Sequence, residues 1–275
     1  MSAGDGEWQV AARKRGKGRT THRNTRRAAF LEESAEGPIR STGSSLSIPD
    51  VRADHERACK AWRESHAAEK LQTIISDNVA HHAAIETAVC LGLGSFDPGP
   101  ERSNWQRCAH VQLEAFLMAV KVLEKHSGRK IKCYAQEPLF LPVDKEYLQT
   151  LDVEPVETPQ AYRYISGNTF LYGIHLPHKV WLSLLQGSLP GLCIGTSLAG
   201  LEETLVVADE QKRELIQKII GMVRVMDAAS DMYAFPEIAG DHTFSSTDIY
   251  WAKAKDGGGD VEMKRLEMLL HRTEL

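Results

Sequence analysis

Between residues 86 and 252 the chain repeatedly sets a short apolar run of strand length beside a longer stretch with helical spacing. Glu86 to Leu91 reads as a strand. Residues 104–126 then place Trp105, Cys108, Gln112, Leu113, Phe116, Leu117, Val120 and Leu123 on one broad helical face, which Ser103 or Asn104 can cap. "IKCYA" at 131–135 is a second strand, followed by a Pro-containing turn and a short helix around Asp144 to Leu151. "TFLYGIHL" and "GLCIG" read as further strands, "KVWLSLLQG" and "ADEQKRELIQKIIGMVRVM" as helices. A late strand, "TDIYWAK", precedes a glycine-rich stretch and a last helix from about Val261. Strands that are apolar throughout need cover on both sides, and parallel neighbours need crossover connections. The pattern therefore predicts an α/β fold: an open, mostly parallel, Rossmann-like sheet with helices on both faces.

Ahead of this core, from about Val51 to Val79, Ala58, Ala61, Trp62, Ala68, Leu71, Ile74 and Ile75 recur at helical spacing and predict one or two helices. The expected organisation is a disordered basic tail and linker over 1–50 and one domain over 51–275, with its core at 86–252. The net charge of -4 hides an asymmetry, because residues 1–29 hold eight Lys or Arg against two acids. A solvated tail is the first reading of this segment; contact with nucleic acid or an import receptor is the second. The linker "EGPIRSTGSSLSIPD" is expected to end near Pro49. With no apolar run of membrane-spanning length and a polar start, neither a membrane span nor a secretory signal is expected, so the location expected is cytoplasmic or also nuclear. The cysteines at 59, 90, 108, 133 and 193, odd in number, widely spaced and mostly in apolar runs, suit reduced core thiols better than disulfides or a zinc site, and no metal is expected.

In an open α/β sheet, ligands bind beyond the carboxyl ends of the strands. Four segments fall there: "GLGSF" at 92–96, Glu137-Pro138, His175 with His178, and Gly195-Thr196-Ser197. Gly92 and Gly94 let backbone N–H groups approach an anion, as they also let a strand turn sharply. The third glycine of the dinucleotide fingerprint is missing. Glu137 stands where an acid reaches a ribose hydroxyl in dinucleotide folds, although a solvated loop acid is the first reading. The spacing in "HLPH" matches a metal pair, but the intervening proline and the lack of nearby cysteine or acid argue against one. His178 suits a general acid or base, or a helix cap. Neither Ser95 nor Ser197 stands in a Gly-x-Ser-x-Gly elbow, so a hydrolase is unsupported. Glu202, Glu203, Thr247 and Asp248 are further polar groups that helix ends explain as well as a site does.

Five of these segments, taken in order, resemble the SRR-like domain family, named for sensitivity to red light reduced. They are "GLGSF" followed by "QLEAFL", "EPLFLPVDKEYLQTL" where the family has Asp-Pro-x-Phe, "TFLYGIHLPHKVWLSLL" where an aromatic strand runs into Met-Pro-His-Cys, "IGTSLAGLEE" beside Ile-Gly-Asn-Ser-Phe, and "TFSSTDIYWAK" near Asn-Asp-Thr-Ser-x-His. Glu137 replaces the family's Asp, Lys179 its Cys, Thr196 its Asn and Leu198 its Phe, and Ser246 and Tyr250 alter the last motif. Gly92, Gly94, Ser95, Phe96, Pro138, Phe140, Asp144, Pro177, His178, Gly195, Ser197 and Thr247 are retained. The resemblance implies a regulatory protein, acting through protein partners in haem biosynthesis and circadian clock-gene expression. The alternative is a small-molecule enzyme or sensor holding a nucleotide-type cofactor among Gly92, Gly94, Ser95, Phe96, Glu137, His178 and Ser197. Haem stays open as a ligand, although the chain has no Cys-x-x-Cys-His.

Overall fold

A computed structural model describes residues 46–82, 84–99, 103–185, 188–197 and 210–253. The basic segment 1–29, Glu202, Glu203 and the expected last helix lie outside these residues. Two N-terminal helices, α1 (Ile48–Arg63) and α2 (His66–Val79), lead into the sheet. The linker gives way to helix at Ile48 because Ser47 and Asp50 cap each other reciprocally and Pro49 sits in the first turn, where its missing N–H costs nothing. Ser65 then receives the N–H of Ala68, starting α2 where the chain breaks after Arg63.

The sheet comprises β1 (Thr87–Leu91), β2 (Lys132–Gln136), β3 (Val153–Pro155), β4 (Thr169–Gly173), β5 (Leu192–Thr196), β6 (Ser230–Ala234) and β7 (Thr247–Ala252). Their order is β3-β2-β1-β4-β5-β7-β6. β1 to β5 pair in parallel, while β7 lies antiparallel to both β5 and β6. The sheet is thus open and mostly parallel, with one reversed strand near an edge. Among the described residues four more α-helices cover it: α3 (Ser103–Ser127), α4 (Pro142–Gln149), α5 (His178–Leu185) and α6 (Glu210–Ala229). None of the described helices is long and apolar enough to cross a membrane.

Alternate strand residues feed two cores. Ala88, Cys90, Phe170, Tyr172, Leu192 and Ile194 join Trp62, Leu71, Leu113 and Phe116 of α1 to α3 on one face. Val89, Leu91, Leu171, Cys193 and Tyr250 join Trp181 and Leu184 of α5 and Met226 of α6 on the other. This two-sided burial is why the strands read as unbroken apolar runs. Trp105, expected on the packed face of α3, is 61% exposed, because the first turn of that helix projects past the core. All five cysteines are free, and only Cys108 is not fully buried.

Candidate functional site

The chain runs from β1 outward to β2 and β3, then returns to β4 on the other side of β1, so the strand order reverses between β1 and β4. Such a reversal leaves a crevice beyond the strand ends. Gly92 follows β1 and Gly173 closes β4, opposite Leu91 in the pairing. Leu176 sits between these two glycines: a Cβ on Gly92 would stand 2.5 Å from its Cδ2, and one on Gly173 would stand 2.4 Å from its Cδ1. One strand further, a Cβ on Gly195 would meet the Trp181 indole at 2.6 Å. The glycines therefore admit the chain's own apolar side chains against the strand ends.

The β1 turn is left-handed at Gly92 (φ 71°) and Gly94 (φ 77°), which turns its amides toward the loop after β2. There the Gly94 N–H donates to Glu137 Oε2 at 3.2 Å, and the Leu139 N–H donates to Glu137 Oε1 at 2.9 Å. The Phe96 N–H donates to Asp144 Oδ1 at 3.0 Å, and the Leu141 N–H donates to Asp144 Oδ2 at 2.7 Å, capping α4. Ser95 also bonds to Asp144, whose pKa burial nevertheless pushes up against these hydrogen bonds. Two carboxylates of the chain thus hold amides that a phosphate would need.

Across the sheet edge, the His175 N–H donates to Thr196 Oγ1 at 2.8 Å, and His175 Nε2 lies 3.1 Å from the Ser245 carbonyl. Burial lowers the pKa of His175, and a donor at Nε2 suits that carbonyl. The Ser197 N–H donates to the Ser246 carbonyl. His178 opens α5, but its side chain lies outside the described residues. The structure thus joins Gly94 with Glu137, and Ser95 and Phe96 with Asp144, while Ser197 pairs with the loop before β7.

Phe96 links this edge to a polar cluster between α1 and α3. Its ring stacks on His110, with centroids 4.9 Å apart at 18°, and meets Tyr147 edge-on at 5.6 Å. His110 Nδ1 lies 3.3 Å from His55 Nδ1, and His55 Nε2 lies 3.0 Å from Glu114 Oε2. Arg63 grips Glu114 through Nε at 2.7 Å and Nη2 at 3.0 Å. Burial would raise the Glu114 pKa, but its bonds to His55 and Arg63 outweigh that and hold it at about 2. Burial drives His110 down to about 3. With Glu114 ionised, His55 donates from Nε2 and accepts at Nδ1 from His110. The His110 Nε2 lone pair is then buried without a partner among the described residues. Cys59, one turn along from His55, donates to the His110 carbonyl at 3.3 Å, and burial pushes its thiol up to about 12.

The SRR1 domain family model matches residues 68–251. The chain belongs to the SRR1 domain family. No curated protein sequence matches it. Among solved structures it is similar to a protein from Klebsiella pneumoniae assigned as an O-methyltransferase, at 16% identity, 77% coverage of this chain, 92% of that one and a TM-score of 0.40. It is also similar to the plantazolicin methyltransferase BpumL bound to a triazolic analogue and SAH, at 8% identity, 75% and 98% coverage and a TM-score of 0.33. Within the SRR1 domain lie the whole strand-end edge, His110 and Glu114, whereas His55 and Cys59 are on α1, ahead of the matched residues. Sequence reasoning makes none of the four a site candidate: Cys59 reads as a core thiol, and Glu114 enters only as part of "QLEAFL". Their signal is two pairs at i and i+4, His55 with Cys59 and His110 with Glu114, each on one face of a helix.

Proposed function

We propose that this SRR1-domain protein is regulatory, acting through protein partners in haem biosynthesis and circadian clock-gene expression, in the cytoplasm and the nucleus. The family resemblance suggests the processes. The observation that favours partner binding over catalysis is the internal packing of the described strand ends, with Leu176 between Gly92 and Gly173, Trp181 on Gly195, and carboxylates on the Gly94 and Phe96 amides. A nucleotide enzyme keeps the strand-end crevice open for its cofactor.

A nucleotide-type cofactor at Gly92, Gly94, Ser95, Phe96, Glu137, His178 and Ser197 is the second reading. Two left-handed glycines after β1 and an acid after β2 favour it. It requires Glu137 to release Gly94 for a ribose hydroxyl.

Native mass spectrometry of the full chain, with thermal shifts against nucleotides and haem, separates the two. The regulatory reading expects an unliganded mass and no shift. It also expects cells depleted of the protein to show altered clock-transcript rhythm and altered haem precursors, restored by the wild-type chain. A retained nucleotide mass that Gly94→Val removes, or unchanged rhythm and precursors on depletion, would overturn it.

A further inference from the structure

The number and spacing of the cysteines gave no reason to expect a metal, but packing α1 against α3 assembles a mixed set of donors. We infer that His55, Cys59 and Glu114 form a site for a zinc-class transition-metal ion that fastens α1 to the SRR1 domain. Their donor atoms lie within 4.8 Å of one another, and His55 and Cys59 are buried. His55 Nε2 is 3.0 Å from Glu114 Oε2 and 3.7 Å from Cys59 Sγ. Tetrahedral zinc bonded at its usual distances sets nitrogen and oxygen ligands ~3.4 Å apart, and nitrogen and sulfur ~3.5 Å apart. Shifts of a few tenths of an ångström therefore bring these two pairs to ligand spacing, while Cys59 and Glu114, within 4.8 Å of each other, close to the ~3.5 Å of a sulfur and an oxygen on one zinc. Imidazole and thiol donors select zinc, cobalt or copper over calcium and magnesium.

The surroundings hold these ligands in the manner of an outer shell. His110 Nδ1, at 3.3 Å, fixes the ring of His55 through the nitrogen the metal would not use. Arg63 Nε, at 2.7 Å, holds Glu114 through Oε1 and leaves Oε2 toward the site once Nη2 yields. On binding, Cys59 gives up its thiol proton, the His55 proton moves from Nε2 to Nδ1, and the His110 proton moves from Nδ1 to Nε2. One proton is released per ion bound. Because His55 and Cys59 precede the matched residues, the ion would tie a helix outside the family match to one inside it.

The test is cobalt(II) titration of the full chain, purified without a histidine tag and stripped with chelator. The expected result is saturation at one equivalent with a thiolate-to-cobalt charge-transfer band, displaced by zinc and accompanied by a raised Tm. Cys59→Ser should lose the band and His55→Gln should weaken uptake at least tenfold, while Cys108→Ser, altering the half-buried thiol, should keep both. Folding of each variant is checked by circular dichroism. A folded wild-type chain that shows no saturable band, or a band that survives in Cys59→Ser, overturns the assignment.

Discussion

Glu137 closes the turn after the first strand by accepting the N–H of Gly94 at 3.2 Å, with its other oxygen on the N–H of Leu139. A carboxylate from one strand end thus orders the backbone of its neighbour. Glu137→Ala should speed amide hydrogen exchange at Gly94 and Leu139 several-fold. It should lower stability by about 1 kcal/mol, since the bonds are charged but half-exposed. Unchanged exchange at both amides would show that the turn is held by its glycines alone.

Asp144 performs the same service deeper in the fold, with no exposed surface. Its two oxygens each take a different amide, Phe96 and Leu141. In Asp144→Asn one of those amides faces an NH2 group instead of an acceptor. The expected loss is about 1–3 kcal/mol, read from urea midpoints. Ser95→Ala should cost less, because the Phe96 and Leu141 amides keep their acceptor and only the Asp144 bond and the Asp97 N–H contact at 3.0 Å are lost.

Gly195 and Trp181 are fitted to each other. In Gly195→Ala the new methyl meets the indole at 2.6 Å and the Gly173 carbonyl at 2.9 Å, so roughly 1–3 kcal/mol of stability should be lost. Trp181→Leu removes only the first of these contacts. The double variant should therefore be more stable than the summed single effects by at least about 0.5 kcal/mol, yet not fully restored. Strict additivity in thermal or urea unfolding would contradict this packing.

Arg107 and Asp241 join α3 to the loop before β7, with Nη2 to Oδ1 at 2.9 Å. Partial burial works against the ionised Asp241, but its bonds to Arg107 and Thr243 prevail and hold its pKa at about 2. Because the folded value lies below the ordinary ~3.9, the stability from this group is complete above about pH 4 and is lost as pH falls toward 2. Arg107→Ala should flatten that part of the stability profile. Added salt should shrink the effect, since the Arg107 side chain is half-exposed. Urea unfolding at pH 2.5 and pH 6 measures both.

Local pattern carried much of the architecture. The apolar runs of β1, β2, β4 and β5 announced burial on both faces, and the amphipathic stretches between them demanded parallel crossovers. Two strands escaped. β3 has three residues, one of them Pro155, and β6 is an edge strand with its middle exposed, so neither shows strand periodicity. The seven candidate site residues were legible because glycines, a histidine and polar groups stand out after apolar runs. What faces them was not legible: Leu176, Trp181 and the Glu137 and Asp144 carboxylates reach the strand ends through pairings and turns that no local window contains.

The sequence by itself determined that β1, β2, β4 and β5 are buried and, Trp105 apart, which face of the long helix α3 turns inward, because side-chain periodicity is a property of a few neighbouring residues. Only the tertiary structure decided that Leu176 and Trp181 pack on the strand-end glycines, and that His55 and Cys59 meet His110 and Glu114. Those two pairs lie more than fifty positions apart, and they join only because the apolar faces of α1 and α3 pack together.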